Sequence, residues 1–163
     1  MTATGDFHFA ELNIARLHRP LDAADNAEFV AALDAVNLIA ERTPGFVWRL
    51  QDEDGASSSY VTAYDDPLQI INLTVWETVE ALRHFTYKSG HGAYLRRRRE
   101  WFEVPSQPHM VCWWMPAGDV PTVADATRRL DRLRADGPST DGFLFTHPLP
   151  APCTTGEAEI HQS

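Results

Sequence analysis

The sequence predicts an α+β fold. It is a ferredoxin-like antiparallel sheet with helices on one face, paired into a dimeric α/β barrel and extended by an extra C-terminal helix and strand. Three observations predict it. Alternating apolar stretches and helical stripes follow one another in the order β-α-β-β-α-β, the split-βαβ plan. A further helical stretch and a short apolar run come after them. A sheet covered on one face only must pack its other apolar face on something, and a second copy related by a two-fold axis is the usual solution.

Phe7 to Leu17 alternates, with Ala10, Leu12 and Ile14 on one face and Glu11 and Asn13 on the other, which reads as a strand. Asp25 to Arg42 reads as a helix, with Asp25 and Glu28 spaced as a capping box and Phe29, Leu33, Val36, Asn37 and Ala40 forming a stripe. Thr43-Pro44-Gly45 ends it. Phe46 to Leu50 is a short strand, Gln51 to Ser59 an acidic Gly/Ser-rich loop, and Tyr60 to Tyr64 a second short strand. Gln69 to Trp76, β-branched and alternating, is the clearest strand. Thr78 caps a helix running through Phe85 toward Tyr87. Ser89-Gly90-His91-Gly92 interrupts, and Tyr94 to Phe102 is a second helical piece. Met110 to Met115 is a buried strand. Thr122 to Ala135 is a helix with Val123, Ala126, Leu130 and Leu133 inward, and Phe143 to Thr146 is a final strand. The domain is expected over 7–147, with 1–6 and 148–163 disordered.

Composition narrows the function. A chain of 163 residues fits one domain that needs no disulfide or metal staple. The net charge of −9 argues against nucleic acid and against an anionic membrane surface. No apolar run is long enough for a membrane helix, and Met1 to Asp6 does not read as a signal peptide. Cys112 and Cys153 form neither a disulfide framework nor a metal cluster, so a cytoplasmic location is expected.

Several residues sit where chemistry is plausible. Asn13 and Asn72 lie in strands, where Asn is disfavoured, and Asn37 interrupts an apolar helix stripe. The Asn37 amide either finds a backbone or Thr74 partner or faces a polar pocket between helix and sheet, and three amides intruding into good elements are local conflicts of the kind found at functional sites. Asn72, Thr74 and Trp76 share a strand face and suit an aromatic or carbonyl-bearing ligand. His84, Tyr87, His91 and Tyr94 would share a face if the helix were continuous, though the glycines around His91 interrupt it. A neutral His serves as base, acid or iron ligand, whereas a surface loop His serves as none. Of Arg96 to Arg99, one guanidinium, with Arg98 the candidate, reaches inward and the others are a solvated face. Trp101 reads as core and is also kept, with Trp113, among the pocket candidates. No spacing supports a zinc site or a Cys–His nucleophile.

The stretches FAELNIARL, EFVAALDAVNLIAERTPGFVWRLQ, INLTVWETVEALRHFTYKSGH, LRRRREWFE and WWMPAGDVPTVADATRRLDRLRADGPS resemble the DUF3291 family, over about residues 7 to 147. That family looks related to the antibiotic biosynthesis monooxygenase-like, dimeric α/β-barrel proteins, chiefly through Asn72 to Trp76 and the helix with His84. The resemblance implies a cofactor-independent monooxygenase acting on an aromatic or polyketide-like metabolite, with Asn72 and Trp76 matching an Asn and a Trp near the end of one strand. Two other readings stand beside it. One is a non-catalytic small-molecule-binding homodimer. The other is a haem protein with His84 or His91 as axial ligand, although the spacing from Trp76 to His91 departs from the haem-degrading pattern.

Overall fold

A computed structural model describes residues 6–51, 64–89 and 91–153, and the side chain of His91 also falls outside the description. The elements are β1 (Phe7–Arg16), a 3-10 turn (Ala24–Asn26), α1 (Ala27–Arg42), β2 (Phe46–Arg49), β3 (Gln69–Trp76), α2 (Val79–Lys88), α3 (His91–Arg96), α4 (Arg98–Trp101), β4 (Met110–Pro116) and α5 (Val123–Asp136). The strands form one sheet in the order β2-β3-β1-β4, with every neighbouring pair antiparallel. This is the expected ferredoxin-like α+β sheet.

The period of two decides what each face carries. Ala10, Leu12 and Ile14 of β1 lie beside Val75, Leu73 and Ile71 of β3 and beside Trp113 and Val111 of β4. Ala126, Leu130 and Leu133 of α5 close over this face. The odd positions of β1 make the other face: Phe9, Glu11 and Asn13, opposite Trp76, Thr74 and Asn72. Val36 and Ala40 of α1 and Leu82 and Phe85 of α2 pack on that side. The added C-terminal helix therefore covers the face that the sequence leaves for a second copy. The bare sheet face that motivates two-fold pairing is absent among the described residues, because α5 fills it from within the chain.

Local chemistry explains most element ends. Thr78 Oγ1 accepts from Ala81 N and caps α2, as its position predicts. Thr122 Oγ1 accepts from Asp125 N at the start of α5. Replacing Thr122 with Ala should cost about 1 kcal/mol in denaturant unfolding, with Thr122→Ser retaining most of it. Gly45, at φ +91°, carries the turn from α1 into β2, and a Cβ there would lie 2.6 Å from the Cβ of Ala81.

Four expectations change. Asp25 does not cap α1: the helix begins at Ala27, and Asp25 instead pairs with Arg19 at 2.7 Å. Asn26 holds the approach, donating through Nδ2 to the carbonyls of Arg19 and Pro20. The helical piece expected over Tyr94 to Phe102 starts at His91 and divides at Arg97 into α3 and α4. The final strand reduces to one bridge, in which Phe143 and Cys112 exchange both backbone hydrogen bonds at 2.9 Å. Within the expected tail Leu149 is held, since the Trp114 indole donates to its carbonyl and its side chain packs on the helix side of the sheet. The strand expected at Tyr60 to Tyr64 falls largely on residues outside the description.

Candidate functional site

The helix-side face of the sheet is not filled. Between it and α1, α3 and α4 lies a cavity of about 530 Å³. The α1 stripe explains the space. Phe29, Leu33, Val36, Asn37 and Ala40 all line the cavity, so the apolar face of α1 looks onto a void as well as onto the core. Ala40 alone of these five is fully buried.

Polar groups converge on this apolar chamber. Asn13 and Asn72, direct neighbours on β1 and β3, line its floor, and Asn37 faces them from α1. The Asn37 Nδ2 is buried and has no hydrogen-bond partner. Thr74 lines the floor next to Asn72. Its hydroxyl accepts from the Trp76 indole at 2.8 Å and donates to Glu11 Oε2 at 2.9 Å. Trp76 is fully buried, stacked on Phe85 and edge-on to Phe46.

Glu11 is the residue that sequence reasoning missed. Its carboxyl is almost wholly buried. Burial pushes its pKa up from 4.5 to about 7, against the opposing hydrogen bonds from Thr74 and Asn13. Cys112, across from it on β4, is held as a neutral thiol by burial and by the nearby Glu11 charge. A carboxyl poised near neutrality behind a cavity wall is suited to exchanging protons. The available signal is that Glu11 shares its strand face with Phe7 and Phe9, aromatic residues that a solvent face would not carry.

Six of the pocket candidates from sequence meet around this cavity: Asn13, Asn37, Asn72, Tyr94, Arg98 and Trp101. Trp76 sits one shell behind Thr74. Others lie elsewhere. His84 and Tyr87 are exposed on α2, with Tyr87 against Phe145. Trp113 is on the opposite face under the Arg129 guanidinium, 5.0 Å from its ring centre. His91 begins α3. His84 does not line the cavity, so the residues present offer a haem there no axial ligand from that position. No group of three or more His, Cys, Asp or Glu able to hold a metal occurs among the described residues. No helix among them is long and apolar enough to cross a membrane.

The family model described as "Domain of unknown function (DUF3291)" matches residues 8–159, so the likeness continues past residue 147. No curated protein matches the chain. Solved structures share its general shape. SnoaB, a cofactor-independent oxygenase from Streptomyces nogalater, is 17% identical, with a TM-score of 0.42 over 71% of this chain and 96% of that one. Rv0793 from Mycobacterium tuberculosis is 15% identical, with a TM-score of 0.43 over 71% and 99%. A protein of unknown function from Nitrosomonas europaea is 9% identical, with a TM-score of 0.44 over 72% and 98%. At this level of likeness none of them assigns an activity to this chain.

Proposed function

The chain belongs to the DUF3291 family, and from that premise we propose that it is a small-molecule enzyme that deprotonates and oxygenates an aromatic, polyketide-like metabolite without a resident cofactor. The observation that supports this reading is the link from the cavity wall to a buried carboxyl: Thr74 lines the cavity and hydrogen-bonds Glu11.

The link supports a proton path. A hydroxyl has one proton and two lone pairs. Thr74 gives its proton to Glu11 and one lone pair to Trp76, which leaves the second lone pair for the acidic C–H proton of the substrate. As Thr74 takes the substrate proton, its own passes to Glu11, whose pKa of about 7 suits it to receive and return a proton near neutral pH. The amides of Asn13, Asn37 and Asn72 line the cavity, which supports a role for them in stabilising the resulting anion. An electron-rich aromatic anion reduces dioxygen itself. In an anthrone-type substrate two C–H bonds break, one C=O forms, and the second oxygen atom leaves as water. In this reading Glu11 takes the role of base that the sequence offered to His91. The cavity is lined by this chain, so the reading needs no partner copy.

The test uses an anthrone incubated with the purified protein in air, followed by oxygen uptake and by anthraquinone absorbance. One dioxygen consumed per anthrone is expected. Asn72→Ala should lower the rate about 100-fold, the loss typical of one anion-stabilising donor. A rate no faster than the spontaneous oxidation would remove the oxygenase reading. The unpartnered Asn37 amide favours occupancy of the cavity whether or not turnover follows. A binding module is therefore the second reading, recognised by thermal stabilisation with no product.

A further inference from the structure

Positive charge gathers at one end of the cavity, although the whole chain carries a net charge of −9. Arg98 and Arg99 of α4, His109 just before β4, and Arg134 of α5 all line it there. Arg134 is anchored, its Nε donating to the Pro108 carbonyl at 2.7 Å. Arg98 is anchored on the Leu95 carbonyl at 2.9 Å. Both guanidinia act on the half-buried His109 ring and, after burial itself, lower its pKa. Pro108 adjoins His109, so the Arg134 anchor sets that guanidinium beside His109 on the wall that Arg98 also lines.

Carboxylates are matched elsewhere. Arg16 holds Asp66 and Glu103, so the one acidic residue lining this end, Glu103, is already engaged. Arg97 holds Glu28 and Glu100. Arg128, Arg129 and Arg132 hold Asp125, Asp136 and Asp141. Among the described residues, no carboxylate lies within ion-pair distance of Arg98, Arg99 or Arg134. Asp131, one turn before Arg134, does not line the cavity. A cavity that leaves cations unneutralised, and presents Phe29, Leu33 and Trp101 on its wall, is built for a ligand with two parts.

We propose that the cavity takes an aromatic carboxylate, its ring system against Phe29, Leu33 and Trp101 and its anionic group on Arg98 and Arg134. The proposal rests on the reading of this cavity as a small-molecule site and adds the charge of the ligand. It does not depend on turnover.

Isothermal titration with two matched probes, anthraquinone-2-carboxylate and anthraquinone-2-carboxamide, tests it. The acid should bind at least about tenfold more tightly than the amide, and raised salt should weaken the acid alone. Arg98→Gln and Arg134→Gln should each weaken the acid about tenfold and leave the amide unchanged, which also shows that the variants fold. Equal affinity for acid and amide, or acid binding unaffected by both substitutions, overturns the anion site and leaves the cavity reading intact. Binding of neither probe overturns both.

Discussion

Glu11→Gln is expected to flatten the pH dependence of stability and to leave the variant more stable than the parent at pH 8 by about 3 kcal/mol. The sign follows from proton linkage. The folded chain holds the Glu11 proton up to a pKa of about 7, whereas the unfolded chain releases it near 4.5. Between those values the unfolded state carries fewer protons, so rising pH favours unfolding. The stabilisation is complete below the unfolded value and is lost as pH rises through the folded one. A gap of about 2.5 units, at roughly 1.4 kcal/mol per unit, gives the magnitude. Glutamine mimics the protonated acid and loses no proton.

Other groups act outside this window or against it. Asp66, Asp125 and Asp141 have lowered pKa values, so their contribution disappears only as pH falls through the acidic range. Cys112 is raised from an already alkaline value. His109 is lowered, so its contribution is lost as pH falls, opposite in sign to Glu11. Comparing parent and variant by urea unfolding at pH 5 and pH 8 cancels these shared terms. Parallel stability curves would show that Glu11 titrates as an ordinary carboxylate, and would remove the base from the proposed proton path with it.

The elements that sequence made legible are those whose periodicity is unbroken. β1, β3, α1 and α5 each carry a clean period of two or of 3.6, β4 is an unbroken apolar run, and α2 is announced by its Thr78 cap. The amides were legible for the opposite reason, because Asn13, Asn37 and Asn72 violate local preference and now line one cavity. What the pattern does not contain is the third dimension. Glu11 alternates with Ala10 and Leu12 as a solvent-facing residue would, Phe7 and Phe9 on its own face are the counter-signal, and the packing of α1 and α2 over Phe9, Trp76 and Thr74 turns that face inward. His109 and Arg134 stand far apart in sequence and meet because α5 returns across the sheet to the Pro108 turn. His84 and Tyr87 carry helical spacing toward Tyr94, but the break before α3 separates them from the cavity wall.

Leu130→Ala should destabilise the chain by about 3 kcal/mol, within the range of roughly 2–5 for a buried Leu replaced without collapse of its surroundings. Leu130 is fully buried between Ala126 and Leu133, against the β1, β3 and β4 residues Leu12, Leu73 and Val111. These strand residues alternate with Glu11, Thr74 and Cys112, so the two faces of the sheet share one backbone. If α5 is the element that seals the second face, a hole at Leu130 must be felt in global unfolding. An exposed position on the same helix supplies the contrast. Arg128 pairs with Asp125 and Asp141 on the surface, where such pairs contribute little, and Arg128→Ala should cost no more than about 1 kcal/mol. A loss at Leu130 as small as that at Arg128 would mean that α5 is only laid against the sheet. It would return the apolar face of Leu12, Leu73 and Val111 to the second copy that the sequence suggested. The expected result keeps that face within one chain and makes α5 the strut that carries Arg134 to the cavity mouth.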